Sequence, residues 1–296
     1  MKRNIYSKLW MILFVLMGAA CTNQVEDVIP VSGQPIEFSV QSDWKEILNT
    51  RSNPGKTQFK DSDSIQIFGF HKSLSGEVKK FMYHVGDSAR GQKVGFDGTN
   101  WNYSPKRFWP KEGTIDFYAS YPDYSVLNEG DKMTYVQPDF NPLGVDLLWG
   151  LATNRDCAEA ETVPIWMVHA LAKVNIFFDS SLGDIKQAKV SAYKAGDFSN
   201  AADNGVPLWN VKTDIIQATI PKEPTKIGDV TVFILPERIT GLKLIKLNGT
   251  EIDVSYKIQN LQFFAGKVYN LTISKGVQKK NTNSRSIAMS VRCVSE

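Results

Sequence analysis

The chain has 296 residues, with 34 Lys and Arg against 31 Asp and Glu. The excess sits at the extreme N-terminus, where Lys2, Arg3 and Lys8 face no acid within residues 1–20; subtracting these three leaves 31 basic residues against 31 acidic ones. A body so balanced offers no basic surface, so no nucleic-acid partner is expected, and about 275 residues exceed one ordinary domain and point to two.

The apolar run LWMILFVLM (9–17) follows those positive charges. It is about half the roughly 20 residues needed to cross a bilayer, which marks residues 1–20 as an export signal and the protein as an envelope or exterior protein. The run closes on Gly18-Ala19-Ala20-Cys21. Small residues before Cys21 suit lipoprotein processing with acylation of Cys21, and they also suit ordinary signal cleavage. The other cysteines are Cys157 and Cys293. In an oxidising compartment they are a candidate disulfide, the alternative being two unpaired thiols.

Residues 22–34 (TNQVEDVIPVSGQ) form a polar tether whose Pro30 and Gly33, with Pro35 just beyond, disfavour regular structure. Ile36, Phe38 and Val40 then alternate with Glu37 and Ser39, the period of a half-buried strand. A polar break with Arg51 at its centre follows. Beyond it, short strand patterns recur between turn signals: IQIFGF (65–70) after an Asp-rich turn, VGFDGTNWNYS (94–104) around Asp97-Gly98, and TIDFYASYP (114–122). A second group runs through IWMVHALAKVNIFF (165–178), QAKVSAYKAG (187–196), DIIQATI (214–220), DVTVFILP (229–236), a hairpin around Asn248-Gly249 and GKVYNLTIS (266–274). Strands without intervening helices imply antiparallel sandwiches, with a boundary in the loop 154–163. The end of the chain repeats the strand period, with Ile287, Met289, Val291 and Cys293 on one face; it pairs either in its own domain or with another molecule's open sheet edge.

Signatures of catalysis are missing. There is no phosphate loop, GxGxxG, GxSxG or HExxH motif, and His71, His84 and His169 lack metal-site spacing, so no catalytic residue, metal or cofactor is expected. Asp61 and Asp63 lack the Gly and closing Glu of a calcium loop and suit a turn before a strand. The aromatic concentration between Trp101 and Tyr124, led by Trp101 and Trp109, is either a glycan-stacking platform or the filling of a sandwich core.

Several of these pieces together resemble the fimbrillin family, the exported subunits of fimbriae built by Bacteroidales-type bacteria. They are the signal ending at Cys21, Thr50-Arg51-Ser52 followed by FxxxDxIxIFGF (59–70), WNYSPKRFWPKEGTIDFYASYP (101–122), DLLWG (146–150), HALAKVNIFF (169–178) and FFAGKVYNLTIS (263–274). The resemblance implies an all-β fold of two transthyretin-like antiparallel β-sandwich domains in tandem, over residues 52–163 and 164–275, and a structural, non-enzymatic role. It also implies an outer-membrane lipoprotein anchored at Cys21 and processed by an arginine-specific protease that cuts between Arg51 and Ser52. The cut removes residues 21–51, tether and first strand, as a propeptide. The tail 276–296 is then a candidate donor strand, through Ile287, Met289, Val291 and Cys293, for other fimbrial subunits in a head-to-tail shaft or at a tip that meets a host or bacterial surface ligand. The competing reading is a monomeric surface lipoprotein that binds glycan through Trp101 and Trp109.

Overall fold

The computed structural model describes residues 29–42, 58–123, 126–129, 132–136, 146–199, 207–223, 225–275 and 289–295. Cys21, Arg51, Ser52 and Ile287 lie outside these residues. The architecture is all β, with a single helical turn at Ser255–Ile258 and a 3-10 turn at Ser180–Leu182 among the described residues.

The first half is built on an eight-stranded sheet. Its order runs Phe38–Ser42, Val163–His169, Leu148–Asp156, Thr114–Tyr121, Ser64–Lys72, Gln92–Phe96 and Trp101–Asn102, with Val78–Met82 pairing to the side of Ser64–Lys72. The two ends, Phe38–Ser42 and Trp101–Asn102, approach each other, so the sheet curls around one core. That core contains Ile65, Ile67, Ile115, Phe117, Ile165 and Met167. A turn forms at Asp97-Gly98: Gly98 has φ of 91°, and the Asp97 carboxylate accepts from the amides of Thr99 and Asn100.

The second half is a sandwich of two four-stranded sheets. One has the order Asp229–Ile234, Ala172–Phe178, Val268–Lys275 and Met289–Ser295; the other has Ile215–Ile220, Ile185–Tyr193, Ile239–Lys246 and Glu251–Asp253. Val174, Ile176, Leu271 and Ile273 of the first meet Val190, Leu242 and Leu244 of the second in a common core. The run 165–178 is divided between the halves. Val163–His169 belongs to the eight-stranded sheet and Ala172–Phe178 to the sandwich, and the chain crosses at Ala170 and Leu171.

A further sheet draws strands from both sides of that crossing: Trp209–Val211, Ala195–Ser199, Lys132–Val136 and Val126–Glu129, in that order. It covers the outer face of the eight-stranded sheet and encloses an aromatic cluster. Trp149 stacks on Tyr118 with centroids 5.9 Å apart and meets Phe198 edge-on at 4.8 Å, and Phe198 meets Trp209 at 4.8 Å. The Trp209 Nε1 donates to the carbonyl of Ala170, 2.9 Å away, at the crossing itself. Phe233 and Leu235 of the sandwich complete the cluster.

Two expectations are corrected. The tether is not wholly irregular: Val31–Pro35 pairs antiparallel with Phe108–Pro110, though all five of its residues are exposed. The sheets are antiparallel except at two places, where Phe38–Ser42 runs parallel to Val163–Met167 and Ala172–Phe178 runs parallel to Val268–Lys275. Parallel neighbours need long crossovers, and both pairs join segments far apart in the chain.

The aromatic cluster predicts a sharp contrast between two tryptophans. Trp149 is fully buried and Trp166 is 53% exposed. Trp149→Ala is expected to cost about 3–5 kcal/mol in urea unfolding, and Trp166→Ala less than about 0.5 kcal/mol; equal costs would contradict the cluster's role in joining the halves.

Candidate functional site: the seat of the first strand

Residues 29–42 cross the first half as one extended segment. The carbonyl of Pro30 accepts from Lys111 N at 2.9 Å, Ile36 N donates to the carbonyl of Arg107 at 2.9 Å, and Val163 N donates to the carbonyl of Glu37 at 2.8 Å. The ladder with Val163–Met167 follows, in the register Phe38 with Val163, Val40 with Ile165 and Gln41 with Trp166. Phe38–Ser42 ends the sheet, so Val163–His169 is its only ladder neighbour among the described residues.

The side chains alternate as the sequence period requires. Ile36, Phe38 and Val40 point into the core, while Glu37, Ser39 and Gln41 are exposed. The Phe38 ring lies 5.4 Å from Phe117 and 5.9 Å from Tyr103. The Tyr103 hydroxyl donates to the carbonyl of Ile36 at 2.8 Å, and burial pushes its pKa up to about 12. At about 1.5–3 kcal/mol for each buried apolar side chain, the three inward residues contribute about 5–9 kcal/mol. Loss of the segment uncovers the Phe117 and Tyr103 rings and leaves the backbone of Val163–His169 without a partner on that edge.

The tail forms the other edge considered at the sequence level. Met289–Ser295 pairs antiparallel with Val268–Lys275 of its own chain, Cys293 opposite Leu271 and Val291 opposite Ile273, at the margin of the sandwich sheet. Of the two partners the sequence left open, this structure contains the one within the chain.

Other sequence candidates take core positions. Trp101 and Trp109 are not a surface platform: they are 9% and 1% exposed, Trp101 packed against Phe59 and Phe96 at 4.9 Å each and Trp109 against Phe117 at 6.0 Å. A sugar has no open ring face to stack on at either residue. The expected Cys157–Cys293 bridge is not formed. Cys157 is a free, buried thiol in the core of the first half, pushed up to about 11 by burial and then by the charge of Asp156, whereas Cys293 lies opposite Leu271 in the sandwich. Asp63 closes a turn, its amide donating to the carbonyl of Lys60 at 3.0 Å. His71 bonds the carbonyl of Glu112 at 2.9 Å and His169 bonds Asp146 at 2.6 Å. Sequence reasoning did not single out Trp166, whose exposure marks it only once its neighbours are known.

A family profile described as fimbrillin-like matches residues 50–288. The chain belongs to the fimbrillin-like family. No curated protein matches the sequence. Among solved structures, a candidate cell adhesion protein from Bacteroides uniformis ATCC 8492 superposes with a TM-score of 0.55 at 17% identity, covering 90% of this chain and 98% of that one. A second candidate cell adhesion protein, from Bacteroides ovatus ATCC 8483, gives 0.52 at 13% identity, covering 88% and 95%. These likenesses carry the fold. Family membership supports the role of a fimbrial subunit at the cell surface, and fimbrillin-like proteins are structural proteins rather than enzymes.

The seat also predicts an alkaline dependence. Tyr103 and Cys157 hold their protons more tightly folded than unfolded, since burial raises them from ordinary values of 10.0 and 9.0. Their contribution is therefore full below those ordinary values and is lost as pH rises through the folded ones, between about pH 9 and 12. Tyr103→Phe is expected to cost about 1 kcal/mol at neutral pH through the lost bond to Ile36 and to flatten the decline above about pH 10 in pH-dependent melts. An unchanged alkaline slope would place the loss elsewhere.

Proposed function

We propose that this fimbrillin-like protein is a subunit of a surface fimbria, shaft or tip, delivered to the outer membrane as a lipoprotein acylated at Cys21 and activated by cleavage between Arg51 and Ser52. The observation that carries this reading is the first strand's position. It completes a core through Ile36, Phe38 and Val40 yet has a single ladder neighbour among the described residues and lies upstream of the cleavable bond. Cutting at Arg51 frees the segment without breaking any other strand connection. The emptied groove then presents unpaired backbone and apolar surface, which a strand from another subunit relieves through ladder bonds and alternating anchors. Each subunit offers one groove and one tail at different surfaces, so the contact is head-to-tail and propagates as a filament.

Cys21 is in this account a temporary anchor, lost with residues 21–51. The burial of Trp101 and Trp109 removes the observation that favoured glycan binding by a monomeric lipoprotein. Contact with a host or bacterial surface ligand belongs to the assembled fibre, as the adhesion descriptions of the structural neighbours suggest.

Two variants test the mechanism in the producing cell. Arg51→Ala is expected to leave full-length, lipid-bearing protein on the surface and no fibres, and normal filaments from it would refute the cleavage step. Deleting residues 281–296 is expected to spare cooperative unfolding of the body while blocking assembly; loss of folding would instead make the tail's place beside Val268–Lys275 essential to the sandwich.

A further inference from the structure

We propose that the cleft between the tether and the hairpin of Ser64–Lys72 and Val78–Met82 binds the uncharged sugar head group of a membrane glycolipid while the chain is still anchored. The inference rests on the reading of Cys21 as an acylated anchor and adds a ligand for the uncut form. The cleft has a volume of about 480 Å³, within the range of about 300–1,000 Å³ for small-molecule sites. Its position is separate from the buried Trp101 and Trp109. The tether forms one wall with Ile29 and Pro30, and Pro110 adds a further aliphatic surface.

The other side of the cleft is held in place by the body. His71, only 6% exposed, bonds the carbonyl of Glu112 through Nε2. Gly113, with φ of 87°, turns the loop where a Cβ would strike the carbonyl of Lys72 and the His71 ring. At the hairpin turn the Glu77 amide donates to the Ser73 hydroxyl at 3.1 Å and the Ser73 amide to the carbonyl of Glu77 at 2.9 Å, and the Glu77 carboxylate lies 3.6 Å from the Lys79 ammonium. The charges select the ligand. Lys79 and Lys111 offer ammonium donors, Glu77 and Glu112 offer carboxylate acceptors, and Lys111 and Glu112 are exposed. Each ammonium has a carboxylate close by, Glu77 for Lys79 and the adjacent Glu112 for Lys111, so a phosphate attracted by one charge is repelled by the next. A hydroxyl both donates and accepts, and its bonds to charged groups are the stronger kind. An uncharged ring bearing several hydroxyls therefore satisfies both signs, while its C–H face meets Ile29, Pro30 and Pro110.

Chain length supplies the source of that sugar. Ile29 is eight residues beyond Cys21. A chain spans at most about 3.3–3.6 Å per residue, so an acylated Cys21 holds the cleft within about 30 Å of the membrane surface. Hydroxyl-rich groups at that distance belong to lipid head groups of the same membrane. Cleavage after Arg51 carries Ile29 and Pro30 away with the anchor, so the subunit loses this hold as it loses the lipid.

Vesicle binding by the chain from residue 21 onward, carrying Cys21→Ser and Arg51→Ala, reads the site apart from acylation and cleavage. It is expected to sediment with phosphatidylcholine vesicles that contain digalactosyl or diglucosyl diacylglycerol and not with phosphatidylcholine alone, and the free disaccharide is expected to compete. Lys111→Ala with Glu112→Ala is expected to weaken binding at least about tenfold through lost hydrogen bonds to charged groups. Lys189→Ala, in the second half, is expected to leave binding unchanged. Thermal melts matching the parent establish that each variant folds. No binding to either glycolipid, equal or stronger binding to phosphatidylglycerol vesicles, or indifference to the paired 111/112 substitution would overturn the saccharide site while leaving the fimbrial reading standing. Binding of the free disaccharide without binding to glycolipid vesicles would overturn the membrane source. Surface protein from the Arg51→Ala cell whose intact mass shows no lipid at Cys21 would bring down the anchor reading, and the membrane source with it.

Discussion

Among the described residues, the N-terminal core is closed by a strand with one ladder neighbour, and the proposed assembly depends on that. Ile36, Phe38 and Val40 are buried like central residues, but among the described residues Phe38–Ser42 has a ladder on one side only, with Val163–Met167. A contribution of about 5–9 kcal/mol is comparable to the whole net stability of a domain. In the proposed mechanism a single cut downstream separates this strand, and the uncovered apolar surface and unpaired backbone favour refilling of its place. An ordinary edge strand is protected against foreign pairing; this edge is covered by the first strand, which the proposed cut after Arg51 would release.

The rest of the fold backs the seat of the first strand with close packing. Trp109 and Phe117 meet edge-on beneath it, and the eight-stranded sheet that carries Phe117 is backed on its far face by the Tyr118–Trp149–Phe198–Trp209 cluster. The bridging sheet, drawn from residues on both sides of the crossing, couples the groove in one half to the tail-bearing sandwich in the other.

The sequence made the strands legible and left their neighbours hidden. The alternation of Ile36, Phe38 and Val40 and the runs 65–70 and 114–122 state locally where strands lie, and the turns at Asp97-Gly98 and Asn248-Gly249 form with positive φ at the glycine alone. Pairing is decided elsewhere. Nothing within 38–42 announces a parallel partner at 163–167, and the strand Val31–Pro35 exists only because Phe108–Pro110 offers it an edge. The same limit governs the aromatics: Trp101 and Trp109 look alike as surface or core until the sheet curls over them, while Trp166 sits in an apolar run and yet faces out. The run 165–178 reads as one element because apolarity continues across Ala170 and Leu171, whose burial serves the junction rather than a strand.

Cleavage-triggered exposure of the first-strand groove is the central claim, and the mass of the surface protein tests it most directly. Intact-mass analysis of fibres sheared from the producing cell is predicted to give a chain beginning at Ser52, without lipid and without residues 21–51. Fibres made of chains that begin at an acylated Cys21 would contradict the account, because the groove would still be filled by the strand it was meant to lose.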